Sequence, residues 1–287
     1  MKIAWLQDLD PFTHYGGAQQ TDKEHIIAGF KLGHEIEIVL PGGAIPPSDL
    51  TIISNAQGFP IELLSKIPTK YIFFLHDYWG LCKWRLHYPM LEKCKNCYLK
   101  PRFLPLLQKS LLNIFLSPLH RESWLFTYPE LESHNFALIP SPINVSEFCD
   151  LHQERAGMLA IHAGLKFKGY DRFKEFAEER HPLPIDLIGD IEGPLPPNVK
   201  SIEGVPYYEM NALYNKYETF VHLPTTPQPF ERTVAEAYLS GCKVITNGNV
   251  GALSWEFFNK GRNEVARALS SSSKKFWTEI ELAVGGR

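Results

Sequence analysis

The densest run of chemistry-bearing residues lies at 225–247, TTPQPFERTVAEAYLSGCKVITN. Pro224, Pro227 and Pro229 keep its first part extended, because proline fixes φ and biases the residue before it away from helix. A helix is expected from about 231 to 239, with Gly241 as its stop and a strand over 243–247. The start of a helix presents unpaired amides and the positive end of its dipole, a ready site for an anion. Phe230, Glu231, Arg232 and Thr233 stand at that start, and Arg232 can add a cation. Glu231 is also simply favourable with the helix dipole. Glu236 is the one carboxylate in an otherwise apolar helix interior, and a buried carboxylate needs a fixed partner. The expectation is a phosphate at the helix start and a hydroxyl-rich ligand beside Glu236. The competing reading is an ordinary βαβ unit with a partly exposed glutamate.

Other residues offer related chemistry. Lys166 and Lys168, bracketed by Gly164 and Gly169, can neutralise charge on a diphosphate leaving group, or be two solvated lysines. His76 ends the apolar stretch YIFFL with Asp77 beside it, a seat for a polar catalytic group or for a satisfied strand-end histidine. Gly16-Gly17 follows the first strand and lets backbone approach a ligand, or simply makes a tight turn; it does not match the dinucleotide fingerprint. Cys82, Cys94 and Cys97 have the spacing C-x11-C-x2-C, with His87 or Cys149 as a fourth ligand for a structural zinc. A single CxxC without a second pair does not favour metal, and reduced thiols in a packed loop are the preferred reading. Trp79, Lys83, Trp84, Arg85 and His87 would line a sugar or lipid-linked acceptor site, or pack the long 78–105 connection against the domain.

The elements that must position these residues alternate strand and helix. Strands are expected at 2–7, 36–40, 50–54, 71–75, 113–117 and 136–139, with helices at 18–32, 61–66, 103–110 and 120–127. A second series follows, with strands at 158–162, 185–188, 199–202, 219–223 and 243–247 and helices at 171–179, 207–214, 231–239, 255–259 and 272–284. Such alternation means an α/β protein with parallel sheets covered on both faces. The proline-bearing stretch 139–148 is the expected boundary. The division is therefore 1–145, 146–271 and a closing helix at 272–287, with two doubly wound domains facing a cleft. At 287 residues, a two-domain chain is the length expectation. A net charge of −3 argues against broad nucleic-acid binding. No apolar run approaches the ~20 residues of a membrane span. The first residues, MKIAWLQDLD, form a strand rather than a secretory leader, so a cytoplasmic location is expected.

Four stretches together resemble the GT-B, family-4 type of retaining glycosyltransferases. They are Gly16-Gly17, HDYWGLC at 76–82, GLKFKG at 164–169 and PQPFERTVAEAYLSGCKVI at 227–245, the last the most specific. The resemblance implies a nucleoside-diphosphate sugar donor, a glycan or lipid-linked acceptor and no required metal. It implies that Gly16 and Gly17 lie near the donor phosphates and that Glu236 binds the donor ribose. The amides of 230–233 would hold the distal phosphate and sugar, Lys168 a phosphate, and His76 would lie near the transferred sugar. Asp77, Trp79 and Arg85 fall on the implied acceptor side. Peripheral contact with the inner face of a membrane is an alternative use of that aromatic and basic surface, although the charge pattern shows no clear amphipathic basic helix. Two departures stand out: Gln228 occupies the position of the first acid of the E-x7-E motif, and Leu165 stands where the family carries arginine, with Lys166 as the substitute. A glutamine can hydrogen-bond a sugar hydroxyl but cannot act as a base. Two competing readings follow, a nucleotide-sugar or glycan binding protein that has lost catalysis and a sugar-nucleotide epimerase of the same shape.

Overall fold

The computed structural model describes residues 1–82, 99–162, 168–189 and 193–286. It divides into two compact units, Met1–Pro142 with Ser270–Arg287, and Ile143–Leu269. The sequence expectations for Lys83, Trp84, Arg85, His87, Cys94, Cys97, Gly164, Leu165 and Lys166 lie outside the described residues.

In chain order the first unit runs β1 (Lys2–Leu6), α1 (Gly17–Lys31), β2 (Glu35–Val39), β3 (Leu50–Ser54), α2 (Ile61–Leu64), β4 (Tyr71–Phe74), α3 (Lys100–Lys109), β5 (Asn113–Phe115), α4 (Pro118–Thr127) and β6 (Phe136–Leu138). Among the described residues its six strands form one parallel sheet in the order β2-β1-β3-β4-β5-β6. Strands β3 and β4 are buried along their whole length, as an apolar run must be when helices cover both faces. One face packs Leu6, Ile53, Phe73 and Phe115 against Phe103, Leu107 and Trp124 of the α3 and α4 side.

The second unit runs β7 (Met158–Ile161), α5 (Tyr170–Glu179), β8 (Ile185–Ile188), β9 (Val199–Ile202), α6 (Met210–Tyr214), β10 (Thr219–His222), α7 (Arg232–Leu239), β11 (Lys243–Thr246) and α8 (Arg262–Ser270). Its parallel strands, five among the described residues, are ordered β11-β10-β7-β8-β9. The sequence expected one helix over 207–214; a 3-10 turn at Tyr207–Glu209 precedes a five-residue α6 instead. Glu209 N donates to the Pro206 carbonyl at 2.9 Å, the three-residue bond that makes this start a 3-10 turn. The segment Glu256–Lys260 is likewise a 3-10 turn, and α8 is a helix the sequence reading missed.

The last helix, α9 (Ser272–Gly285), belongs to the first unit. Phe276 and Trp277 meet Trp5 with ring centroids 5.8 and 6.3 Å apart, and Trp277 Nε1 donates to the His25 carbonyl at 2.8 Å. Gly29 of α1 allows this packing, because a Cβ there would come within 2.4 Å of the Trp277 ring.

Candidate functional site

In a doubly wound sheet, ligands bind beyond the carboxyl ends of the strands where the strand order reverses. In the second unit that point lies between β7 and β10, whose next residues are His162 and Leu223. The loops following these strands make close backbone contact. Gly169 has φ +91, and a Cβ on it would lie 1.8 Å from the Leu223 carbonyl oxygen. Gly189, after β8, has φ +128, and its Cβ would lie 1.6 Å from the His162 carbonyl oxygen. Only glycine satisfies both the left-handed φ and the missing space.

The loop leading into α7 is fixed before the helix begins. Gln228 N donates to Asn249 O at 2.7 Å, Gly251 N to Gln228 O at 3.0 Å and Ala252 N to Phe230 O at 2.7 Å. Asn247 and Asn249 both donate side-chain amide protons to the Pro224 carbonyl. The residue before α7, Glu231, is left-handed with φ 68, an uncommon state for a residue with a Cβ. Its carboxylate is tied on two sides: Lys168 Nζ donates to Oε1, and His222 Nε2 lies 3.2 Å from Oε2. Burial alone would raise the Glu231 pKa, but Lys168 and His222 outweigh it and hold this carboxyl well below the ordinary range. The Glu231 side chain makes no capping bond to α7, and Val234 N donates to the Glu231 carbonyl at 3.2 Å.

The sequence-predicted residues of this unit fall into two groups. Lys168, Glu231 and the start of α7 come together, with Phe230 buried beneath and Thr233 half-buried in the first turn. Arg232 reaches one turn forward along α7, with Nε 3.3 Å from Glu236 Oε1 and Nη2 donating to Tyr207 Oη at 3.0 Å. Tyr207 Oη in turn donates to Glu236 Oε1 at 2.8 Å. Burial raises the Glu236 pKa, while Arg232 and Tyr207 pull it back. Gln228 is buried and folds its amide onto its own loop, donating to Thr226 O at 2.8 Å and Thr226 Oγ1 at 3.2 Å.

Two histidines that the sequence reading passed over line the same edge. His162 and His222 stack with centroids 5.8 Å apart, each nearly inaccessible. Their signal is faint but real: each follows an apolar run at the carboxyl end of a central strand. Burial, His222 and Lys168 push the His162 pKa down to about 4, against a smaller upward pull from Glu231. Between pH 6.5 and about 4 the unfolded chain therefore binds a proton that the native chain does not. Stability is fully present above that window and falls as pH falls through it, by about 3 kcal/mol. Urea midpoints measured across this range should fall more gently for His162→Phe than for the wild type; superimposable profiles would show that another group titrates.

In the first unit the strand order reverses between β1 and β3. His76, two residues past β4, is buried with Nε2 2.9 Å from Asp22 Oδ1. Asp22, fully buried in the second turn of α1, also accepts from Ser54 Oγ at 2.9 and 2.8 Å. Neither Asp22 nor Ser54 was picked out by sequence; the available cue was a run of polar residues, Gln19 to Asp22, all buried near the start of α1. Gly16 caps α1 in extended geometry and Gly17 is its first residue, both exposed. Asp77 Oδ1 accepts from Trp79 N at 2.8 Å, and its carbonyl accepts from His120 Nε2 and Trp124 Nε1. Trp79 packs edge-on against Phe103 at 4.6 Å. Cys82 and Cys149 are free thiols, and among the described residues no group of three or more His, Cys, Asp or Glu could hold a metal ion. Among the described residues no helix is long and apolar enough to cross a membrane.

No protein-family model and no curated protein matches this sequence. Solved structures do match in fold. Anabaena HepE in complex with UDP superposes with a TM-score of 0.64 at 14% identity, over 98% of each chain. Sucrose-phosphate synthase from Thermosynechococcus elongatus superposes with a TM-score of 0.68 at 14% identity, over 99% of this chain and 91% of that one. A glycosyltransferase from Rickettsia africae gives 0.61 at 12% identity, over 99% and 96%. The fold is GT-B. The GT-B chain therefore carries two Rossmann-like parallel sheets, one of the order 3-2-1-4-5 in its second unit when strands are counted from β7.

Proposed function

We propose that this chain is a retaining glycosyltransferase that moves a sugar from a nucleoside-diphosphate sugar to a hydroxyl of a glycan or lipid-linked acceptor. The observation that carries the reading is the start of α7 at the switch point of a GT-B sheet, with no capping bond from the Glu231 side chain and with Lys168 held there by that carboxylate. HepE, of the same fold, has been solved with UDP and with UDP-glucose, which supports a donor of that class here. In this reading residues 146–271 bind the donor and residues 1–145 take the acceptor, with the helix at 272–287 packed into the first unit.

The chemistry asked of the residues is electrostatic. As the anomeric C–O bond breaks, negative charge grows on the diphosphate oxygens, and fixed donors aimed at them lower the barrier. The amides at 230–233 and Lys168 are those donors, with Lys166 as an additional cation. Glu236 accepts from the ribose through Oε2, since its Oε1 already takes both Tyr207 and Arg232. His76 orients the transferred sugar. Gln228 offers no proton acceptor of useful basicity, so its part is to hold a sugar hydroxyl or shape the loop. Gly16 and Gly17 let backbone approach the phosphates, and Asp77, Trp79 and Arg85 serve the acceptor side.

The test is a thermal-shift screen with UDP, GDP, dTDP and their sugars, followed by transfer assays whose product anomer is read by NMR. A nucleotide at a hundred times its Kd stabilises by about 2.7 kcal/mol, enough to detect. Product of the donor's anomeric configuration is expected. Binding without turnover would assign a donor-binding protein instead, and no binding of any nucleotide would overturn the reading.

A further inference from the structure

We propose that Asp22 is a positioning residue that fixes the tautomer of His76, with Ser54 holding the Asp22 carboxylate for that task. The proposal rests on the reading above that His76 faces the transferred sugar. Parallel register places Ser54 beside Phe74 on neighbouring strands, so both side chains leave the same face of the sheet. His76 follows on that face, its ring 4.1 Å from Phe74. Helix α1 covers this face and lowers Asp22 onto it. The carboxylate is fully buried, and among the described residues the basic side chain within reach of it is His76, with Nε2 2.9 Å from Oδ1.

An ionised carboxylate only accepts hydrogen bonds. Ser54 Oγ donates across both of its oxygens, and His76 approaches with Nε2, so Nε2 must carry the proton. In the neutral ring Nδ1 is then the lone-pair nitrogen. It is buried and has no hydrogen-bond partner among the described residues. A buried acceptor of fixed direction is suited to a sugar hydroxyl, and a rotated or re-protonated imidazole would present a donor in its place. Asp22 thus acts through His76 and needs no contact with substrate itself.

Imidazole 15N shifts of the full-length labelled protein read the tautomer directly, with the His76 signals identified by their loss in His76→Gln. The wild type should show Nε2 protonated and Nδ1 bare. Asp22→Asn, whose amide can donate to Nε2, should move the proton towards Nδ1. In donor assays Asp22→Asn should lower kcat by roughly 10- to 100-fold with donor KM little changed, the signature of an interaction lost in the transition state. A wild-type Nδ1–H tautomer, or an Asp22→Asn spectrum identical to wild type, overturns the proposal. Should Asp22→Asn fail to fold, the wild-type spectrum and Ser54→Ala decide: loss of the anchor should broaden or mix the His76 tautomers, and an unchanged spectrum counts against it. The spectra are independent of turnover, so failure of the glycosyltransferase reading would show separately, as no transfer by the wild type.

Discussion

Replacing Lys168 by alanine is expected to lower donor turnover by ~10²–10³-fold, the usual effect of removing one preorganised group from a developing oxyanion. The same change removes the cation beside Glu231, leaving a mostly buried carboxylate with His222 as its remaining close partner. A fully buried pair broken this way costs ~3–5 kcal/mol. Because the Lys168 side chain is 26% exposed, about 2 kcal/mol is expected here. The two effects separate in the double variant Lys168→Ala/Glu231→Gln. It should regain most of the lost stability, since no unpaired charge remains, while turnover stays low. If turnover returned with stability, Lys168 would be a structural counter-ion for Glu231 and nothing more.

Glu236→Ala should destabilise the second unit strongly, by about 3–5 kcal/mol. It strips the acceptor from an Arg232 side chain that is only 9% exposed and from the Tyr207 hydroxyl. Against a typical domain stability of ~5–15 kcal/mol, that loss would confuse any binding measurement. Glu236→Gln is the informative variant, because it keeps an acceptor for Tyr207 and Arg232 while losing the charge. Its nucleotide affinity should fall by ~1–3 kcal/mol relative to wild type, read by calorimetry. Wild-type affinity in Glu236→Gln, with only the urea midpoint lowered, would make Glu236 a structural clamp.

Much of the architecture was legible because its signals are local. YIFF, LTIIS and TFVH are short apolar runs between turn residues, and each is a strand. The helix at the start of the 225–247 stretch is announced by three prolines and ended by Gly241, and it spans Arg232–Leu239. The misses have physical causes. One expected helix is split because Glu209 N bonds back three residues to Pro206, which leaves α6 to begin at Met210. Helix α8 follows Gly261 with charged residues at Arg262, Glu264 and Arg267, so it reads as surface loop until Val265 and Leu269 are seen buried.

The candidate site divides along the same line. Residue types and spacing along the chain placed His76 at a strand end, Lys168 on a glycine-bracketed loop and Glu236 inside an apolar helix, because those facts are written within a few residues of each other. Partnership across the fold could not be read that way. That Lys168 meets Glu231 across 63 positions, that Arg232 turns to Glu236 and Tyr207, and that Asp22 and Ser54 meet His76 depend on which strands lie side by side. A parallel sheet brings together the carboxyl ends of strands that are far apart in sequence, and the order of those strands is decided only when the whole sheet has packed.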